Sequence, residues 1–558
     1  MVTGSRSHPR TGQPPAPSCG RPRAKDIKRR LSSDESRHNR GETVLNEGAG
    51  AWVHRRSRQT PNAVAIKFRG ESRTYHDLDV RVTRLANALR ELGINKGDRI
   101  AVLSDNHPAY LETLYAAGLL GAIFVPLNSR LTAVEIAYAL ADSGAQVFVH
   151  SAALTVTSSD AAHAVPTVEH RITVDGAADA SSHHYDTLIA EASADFFDVQ
   201  VDHSDAALIM YTSGTTGRPK GVVLSHENLL FAVMNAILDL DLLSDEVSLV
   251  TAPLFHTGAL NMIALPTLLK GGTVVIDEGF EPGRTLRMIE EERITFSFGV
   301  PTMLDAMSSH PAWISTDLSS LRRMIAAAAP VPPRTLRTYT ERNIRLCQGY
   351  GLTETGPGAL ILIPSDVERK LGTAGVPHFF TDVRVVDEVG RGVEPGQRGE
   401  IQISGPNVMT RYWNKPEETE ATFTADGWLR SGDVGIPDSD GFVTIVDRLK
   451  DMIISGGENI YPAEIESVIF DIPGVTGAAV FGVSDARWGE VGCAAVTLTD
   501  GAELTHERLV ESLTPRLAKY KIPKSLVVVD EIPRNATGKI RKDILRTRFG
   551  SAISMQDG

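Results

Sequence analysis

With 558 residues, 42% apolar and 23% charged, the chain is long enough to bury more than one core and has an ordinary globular composition. A formal net charge of −12 excludes a general binder of nucleic acid or anionic membranes, while leaving room for a locally basic site for a polyanion. Three cysteines without paired spacing (Cys19, Cys347, Cys493) exclude a disulfide framework or a cysteine zinc site and make a reducing, cytoplasmic setting the expectation.

Residues 1–43 are basic and proline-rich. No acid occurs from Met1 to Lys25, whereas Arg6, Arg10, Arg21 and Arg23 do, and no apolar stretch follows, so this is not a secretory signal. The segment reads as a disordered extension or a start assigned too early, the native start then being Val44 from a GTG codon. From Val44 on, strand and helix patterns alternate: a strand at Arg99–Leu103, a helix at His107–Leu119, a strand at Ile123–Pro126, a helix at Ala133–Leu140 and a strand at Gln146–Val149. Short β-rich runs between longer helices predict parallel sheets covered on both faces. The longest apolar run, Tyr115–Leu127, is shorter than the roughly 20 residues of a membrane span and reads as a buried helix-to-strand connection.

From about Val383, Gly390, Gly392, Gly396 and Gly399 punctuate short strand-like runs, predicting a small β-rich subdomain over 383–446. A charged link follows at 447–450. Beyond it, a strand at Ala478–Val483, a helix at Glu507–Leu517 and a strand at Ser525–Val529 predict a small α+β domain. The expected fold is therefore α/β. A large N-terminal domain of parallel α/β-layered sheets spans 44–447, and a small α+β C-terminal domain spans 450–558.

The most informative segment is Met210–His226, MYTSGTTGRPKGVVLSH. An apolar strand runs into a loop of small hydroxyl residues and glycines, and a helix with Ser225 as N-cap follows. Such a loop lets backbone N–H groups close on phosphate oxygens, with Lys220 adding positive charge. It is not a Walker loop, because Arg218 follows Gly217 and Gly221 follows Lys220.

TSGTTGRPKG resembles the phosphate-loop signature of the adenylate-forming superfamily, which comprises acyl-CoA synthetases, adenylation domains of peptide synthetases and beetle luciferases. Four further blocks occur in that superfamily's order: YGLTE (350–354), GWLRSGDVG (427–435), DRLKDMIISGGENIYPAEIE (447–466) and PRNATGKIRK (533–542). The resemblance implies an ATP-dependent ligase that forms an acyl-adenylate and transfers the acyl group to coenzyme A, with Mg2+ beside the ATP phosphates.

It also implies roles for individual residues. Thr212, Ser213, Gly214, Thr215, Thr216, Gly217 and Lys220 would surround the phosphates. Glu354 and Thr212 would supply hard oxygen ligands to Mg2+. Tyr350, with Gly351 and Thr353 in the same block, would pack on adenine; Asp433 would accept from the ribose hydroxyls, with Arg448 nearby. Lys539 would stabilise charge building on the phosphoryl oxygens, and His256 would gate the way from the ATP site to the acid. Lys450 occupies the hinge position about which the C-terminal domain of relatives swings as a mobile lid. Gly456 and Gly457 would let the pantetheine arm approach the backbone. Taken singly, these residues read blandly: Asp433 as a turn residue, Glu354 as a solvated carboxylate, Lys539 as part of a basic turn with Arg541 and Lys542, and His256 as a core ring. The ordered blocks reverse those readings.

The small residues Thr355, Gly356, Pro357, Gly358 and Ala359 predict a roomy pocket for a small-molecule carboxylic acid, with no charge to pair an amino group. NEGAGAW, NHPAYLETL, PLFHTGALNMIALPTLLKGGTV and GVPTM are similar to segments of bacterial feruloyl-CoA (hydroxycinnamate) synthetases and equally of medium- and long-chain fatty acyl-CoA synthetases. Both acid classes stay open. A freestanding enzyme loading a carrier protein is the alternative. One departure stands out: relatives carry glycine where this chain has Ala327, and its methyl is expected to crowd the pocket at about 1–3 kcal/mol.

Overall fold

The computed structural model describes residues 46–178, 181–212, 219–328, 331–363, 365–448, 451–455, 458–485, 488–517, 519–535 and 539–553. Two large sheets carry the alternating pattern. The first has eight strands, in the order Arg411–Tyr412, Lys220–Ser225, Ala206–Thr212, Ile123–Leu127, Arg99–Leu103, Val147–Ser151, His170–Val174 and Ser182–His184. From Ala206–Thr212 onward its neighbours run parallel. The second has nine strands, with a parallel centre from Arg345–Tyr350 through Arg323–Ala326, Phe296–Gly299, Val247–Val250 and Thr273–Ile276 to Val64–Phe68. Sheets built this way must be buried on both faces. Accordingly the helix Pro108–Leu120 is buried along its whole length, ends at Gly121 in the left-handed conformation, and hands the chain to the strand Ile123–Leu127.

One buried carboxylate with three donors anchors this core. Glu112 is fully buried and accepts from Arg73 (2.6 Å), Arg81 (2.7 Å) and the Tyr185 hydroxyl (3.1 Å). Such a group is tolerated only because its partners replace water.

The glycine-punctuated stretch forms an antiparallel four-stranded sheet of Asp382–Val386, Gly399–Ser404, Leu429–Pro437 and Val443–Arg448. Farther on, the long strands Val475–Asp485 and Gly489–Leu498 pair antiparallel, Ser525–Val528 joins in parallel, and Ile469, Leu509 and Leu513 fill the core beneath. Among the described residues, no helix is long and apolar enough to cross a membrane.

Candidate active site

Thr212, His256, Ala327 and Tyr350 lie at or just beyond the ends of strands of the two large sheets, the usual location of ligand sites in open α/β sheets. Ala206–Thr212 and Lys220–Ser225 form an antiparallel hairpin in which Thr212 faces Lys220 across the register. Ser213, Gly214, Thr215, Thr216 and Gly217, between the two strands in sequence, lie outside the described residues. A strand therefore stands between the loop and the helix where the sequence reading ran straight on. The helix His226–Asp239 begins as expected: Ser225 accepts from the Asn228 N–H (3.1 Å) and Asn228 accepts from the Ser225 N–H (2.8 Å). Tyr211 donates to Asp142 (2.7 Å) and Tyr138 to the Pro219 carbonyl (3.2 Å), which steadies the mouth of the hairpin.

The strand Arg345–Tyr350 leads into a tight reversal. A Cβ on Gly351 would lie 1.7 Å from the Pro357 carbonyl oxygen, so only glycine fits there. Thr353 opens the short helical turn Thr353–Thr355 that presents Glu354. Glu354 accepts a hydrogen bond from the Tyr412 hydroxyl (2.8 Å), and Lys220 Nζ lies 5.0 Å from the centre of the Tyr412 ring. Burial, and after it the Glu354 charge, raise the Tyr412 phenol, which therefore stays protonated and donates. Thr212, Lys220, Tyr412 and Glu354 thus form one connected group, with hydroxyl and carboxylate oxygens of the kind a hard cation such as Mg2+ takes.

Tyr350 donates to Asp433 (2.7 Å). Asp433 is buried within the strand Leu429–Pro437, its backbone opposite Arg448, and is not the turn residue its Ser-Gly-Asp context suggests. A flat ring beside a buried carboxylate offers a stacking face and an acceptor for hydroxyl groups.

His256 follows the strand Val247–Val250 in a loop tied down by Asn106, which donates to the Ala252 carbonyl (3.0 Å) and accepts from the Leu254 N–H (2.8 Å). Burial first, then the charges of Arg130 and Lys539, push the imidazole down to about 4, so it is neutral near pH 7. Its Nε2 is buried and without a hydrogen-bond partner. Lys539 is the smallest of the influences on this ring, after burial and Arg130. The local basic run is not one solvated turn: Lys542 is paired with Glu466 (2.9 Å) and Arg541 with Asp543 (2.6 Å). Lys450, Gly456 and Gly457 lie outside the described residues, and Arg448 is described by its backbone alone.

Within the protein the Ala327 methyl is not crowded by its neighbour on the adjacent strand. A Cβ built on Gly349 would still lie 3.6 Å from the Ala327 methyl, an ordinary contact, and Ala327 keeps an ordinary backbone. The strain sits one residue on, where Ala328 has φ 73°, a conformation that costs a non-glycine residue about 1–2 kcal/mol. Tyr412 and Arg130 escaped the sequence reading. The aromatic pair Tyr412-Trp413 in a polar stretch was the available signal for the first; nothing in the sequence marks the second.

The model of the AMP-binding enzyme family matches residues 53–413, and that of the AMP-binding enzyme C-terminal domain matches residues 464–539. The chain is 50% identical over 508 residues to a feruloyl-CoA synthase of Amycolatopsis sp, covering 91% of this chain and 100% of that protein. It is 39% identical over 483 residues to the long-chain-fatty-acid–CoA ligase FadD13 of Mycobacterium tuberculosis, covering 86% and 94%. Among solved structures, o-succinylbenzoate CoA synthetase of Bacillus subtilis in complex with its acyl-adenylate intermediate superposes with a TM-score of 0.79 at 33% identity, covering 89% of this chain and 97% of that one. The same enzyme with ATP and magnesium ion gives 0.79 at 32%, covering 89% and 99%.

Proposed function

The chain belongs to the AMP-binding enzyme family, and from that premise we infer that it is an ATP-dependent carboxylic acid–CoA ligase working through an acyl-adenylate. The observation that carries the reading is the Thr212–Lys220–Tyr412–Glu354 group, joined through the 350–354 block to the Tyr350–Asp433 pair.

In the first half-reaction a carboxylate oxygen of the acid attacks the α-phosphorus of ATP, and pyrophosphate leaves with the bridging electron pair. Lys539 stabilises the charge that builds on the phosphoryl oxygens. Lys220 and the loop 213–217 hold the triphosphate, while Tyr350 and Asp433, with Arg448, hold the nucleoside. Glu354 and Thr212 would hold Mg2+, which neutralises phosphate charge when bound. In the second half-reaction the thiolate of coenzyme A attacks the acyl carbonyl and AMP departs. Rotation at Lys450 would withdraw Lys539 and bring Gly456 and Gly457 to the pantetheine arm. His256, uncharged, divides the nucleotide from an acid compartment bordered by Ala327 and the turn 356–358.

The 50% identity to a feruloyl-CoA synthase supports a hydroxycinnamic-type acid over a fatty acid. A panel of hydroxycinnamic, benzoic and fatty acids, scored by pyrophosphate release with and without coenzyme A, tests this. Highest kcat/KM with an aromatic acid is expected; a best substrate among long alkanoates would reverse the assignment.

A further inference from the structure

The small antiparallel sheet and the helix Pro462–Ile469 lie on either side of the link 449–450 in sequence, yet they meet. Tyr461, which opens the helix, is 7% exposed and packs on Val434 and Val446 of the sheet, with Ile436 and Met452 beside them. Asp447 is buried near the end of the strand Val443–Arg448 and accepts from the Ala463 N–H (2.9 Å) in the first turn of the helix. There an anion also meets the positive end of the helix dipole. Burial works against the Lys542 ammonium, but the charges of Glu466, Asp447 and Asp451 outweigh it and raise the group. The cation that pairs with Glu466 (2.9 Å) therefore feels Asp447 across the link as well.

Arg398 adds a contact from the sheet side. It precedes the strand Gly399–Ser404, and its guanidinium lies 4.5 Å from the centre of the Tyr461 ring and 3.5 Å from Glu464. Lys521 donates to the other oxygen of Glu464 (2.6 Å), so the carboxylate Arg398 meets is already fixed. The contacts of Tyr461, Ala463 and Glu464 with Val434, Asp447 and Arg398 each join a residue before the link to one after it. They cannot survive the rotation proposed at Lys450, because 461–464 form one short piece of chain and would turn together. In the arrangement they hold, the Lys539 charge is felt by His256, although it is the smallest influence on that ring.

We propose that Arg398 is a positioning residue: through Tyr461 and Glu464 it holds the C-terminal domain in the arrangement that serves the first half-reaction, and it lets go before the thiol step. Asp447 supports the same arrangement from within the seam. Arg398 acts through the placing of Lys539, not on the substrate. A guanidinium against an aromatic face and a part-exposed carboxylate is a hold of suitable size. It is strong enough to bias two arrangements and weak enough to release in every turnover. This rests on the ligase reading above and adds to it a control on how the two half-reactions share the enzyme.

The test follows the two half-reactions separately in the wild type, Arg398→Met and Arg398→Lys: acid-dependent pyrophosphate release, and thioester formation from supplied acyl-adenylate and coenzyme A. Methionine keeps an apolar stem without the charge, and lysine returns a cation to the face of the ring. The ratio of the first rate to the second should fall by roughly three- to tenfold in Arg398→Met, whether adenylation slows or thioester formation quickens. Most of that change should be undone in Arg398→Lys. Arg398 is exposed, so neither substitution opens the core. An unchanged ratio in Arg398→Met would overturn the inference, and so would equal slowing of both steps, the mark of a merely structural role. A lysine variant no better than the methionine one would overturn it too. A wild-type enzyme that releases pyrophosphate with none of the acids would instead overturn the ligase reading, and this inference with it.

Discussion

Tyr412 contacts no substrate in the proposed reaction, yet its hydroxyl is the group that orients Glu354. Removing it as Tyr412→Phe keeps the ring under Lys220 and deletes only the 2.8 Å hydrogen bond to the carboxylate. A hydrogen bond to a charged group contributes about 1.5–3 kcal/mol, and part of that is regained because the freed carboxylate finds water. We therefore expect about 1.4 kcal/mol of lost preorganisation, or roughly tenfold. It should appear as a rise in the Mg2+ concentration that half-saturates adenylate formation, while KM for the acid stays put. Binding of Mn2+ to the enzyme–ATP complex, followed by electron paramagnetic resonance, should weaken in parallel, which separates positioning of the metal ligand from a loss of fold. Unchanged Mn2+ affinity in Tyr412→Phe would refute the reasoning, as would equal slowing of thioester formation from preformed acyl-adenylate.

Other perturbations follow from the same geometry. Lys539→Ala should slow acid-dependent pyrophosphate release by roughly 10²–10³ yet convert supplied acyl-adenylate and coenzyme A at near the wild-type rate; Lys450→Pro should do the reverse, and equal damage to both half-reactions in Lys539→Ala would remove its assigned role. Ala328→Gly relieves the left-handed backbone at φ 73°, so after the entropy that glycine loses on folding the urea midpoint should rise by the equivalent of about 1 kcal/mol or less; a lower midpoint would contradict the strain. His226 is pushed down to about 4 by burial first, opposed by Asp205 and reinforced by His203 and Lys96. Between about pH 6.5 and 4 the unfolded chain therefore takes a proton the folded one refuses, so its contribution is intact above pH 6.5 and is lost on acidification, by about 3 kcal/mol in all. Chemical denaturation across pH 7 to 4 should show a flatter decline in His226→Asn than in the wild type.

Local order was readable wherever it rests on short-range pattern. The strand Arg99–Leu103, the buried helix-to-strand connection within Tyr115–Leu127 and the N-cap at Ser225 each appear where the residues predict them. Candidate site residues could be named because their blocks are contiguous strings. Partners joined only by the fold were not. Tyr412 meets Glu354 across 58 positions of sequence and His378 meets Asp239 across 139, and no periodicity encodes either meeting. Ala327 and Ala328 make a complementary point: the departure from relatives singles out Ala327, but which of two identical neighbours carries the unusual backbone angle depends on the strand Arg323–Ala326 that delivers them.

As a ligase of this kind, the chain splits ATP between its α- and β-phosphates to activate an acid, then delivers the acyl group to a free thiol. The most direct measurement follows all products at once, by chromatography and mass spectrometry, from purified enzyme, ATP, Mg2+, 4-hydroxycinnamate and coenzyme A. One AMP, one pyrophosphate and one thioester should appear for each ATP consumed, and acyl-adenylate should accumulate when coenzyme A is left out. ADP and inorganic phosphate as products, or an adenylate that forms but never passes to coenzyme A, would contradict the account.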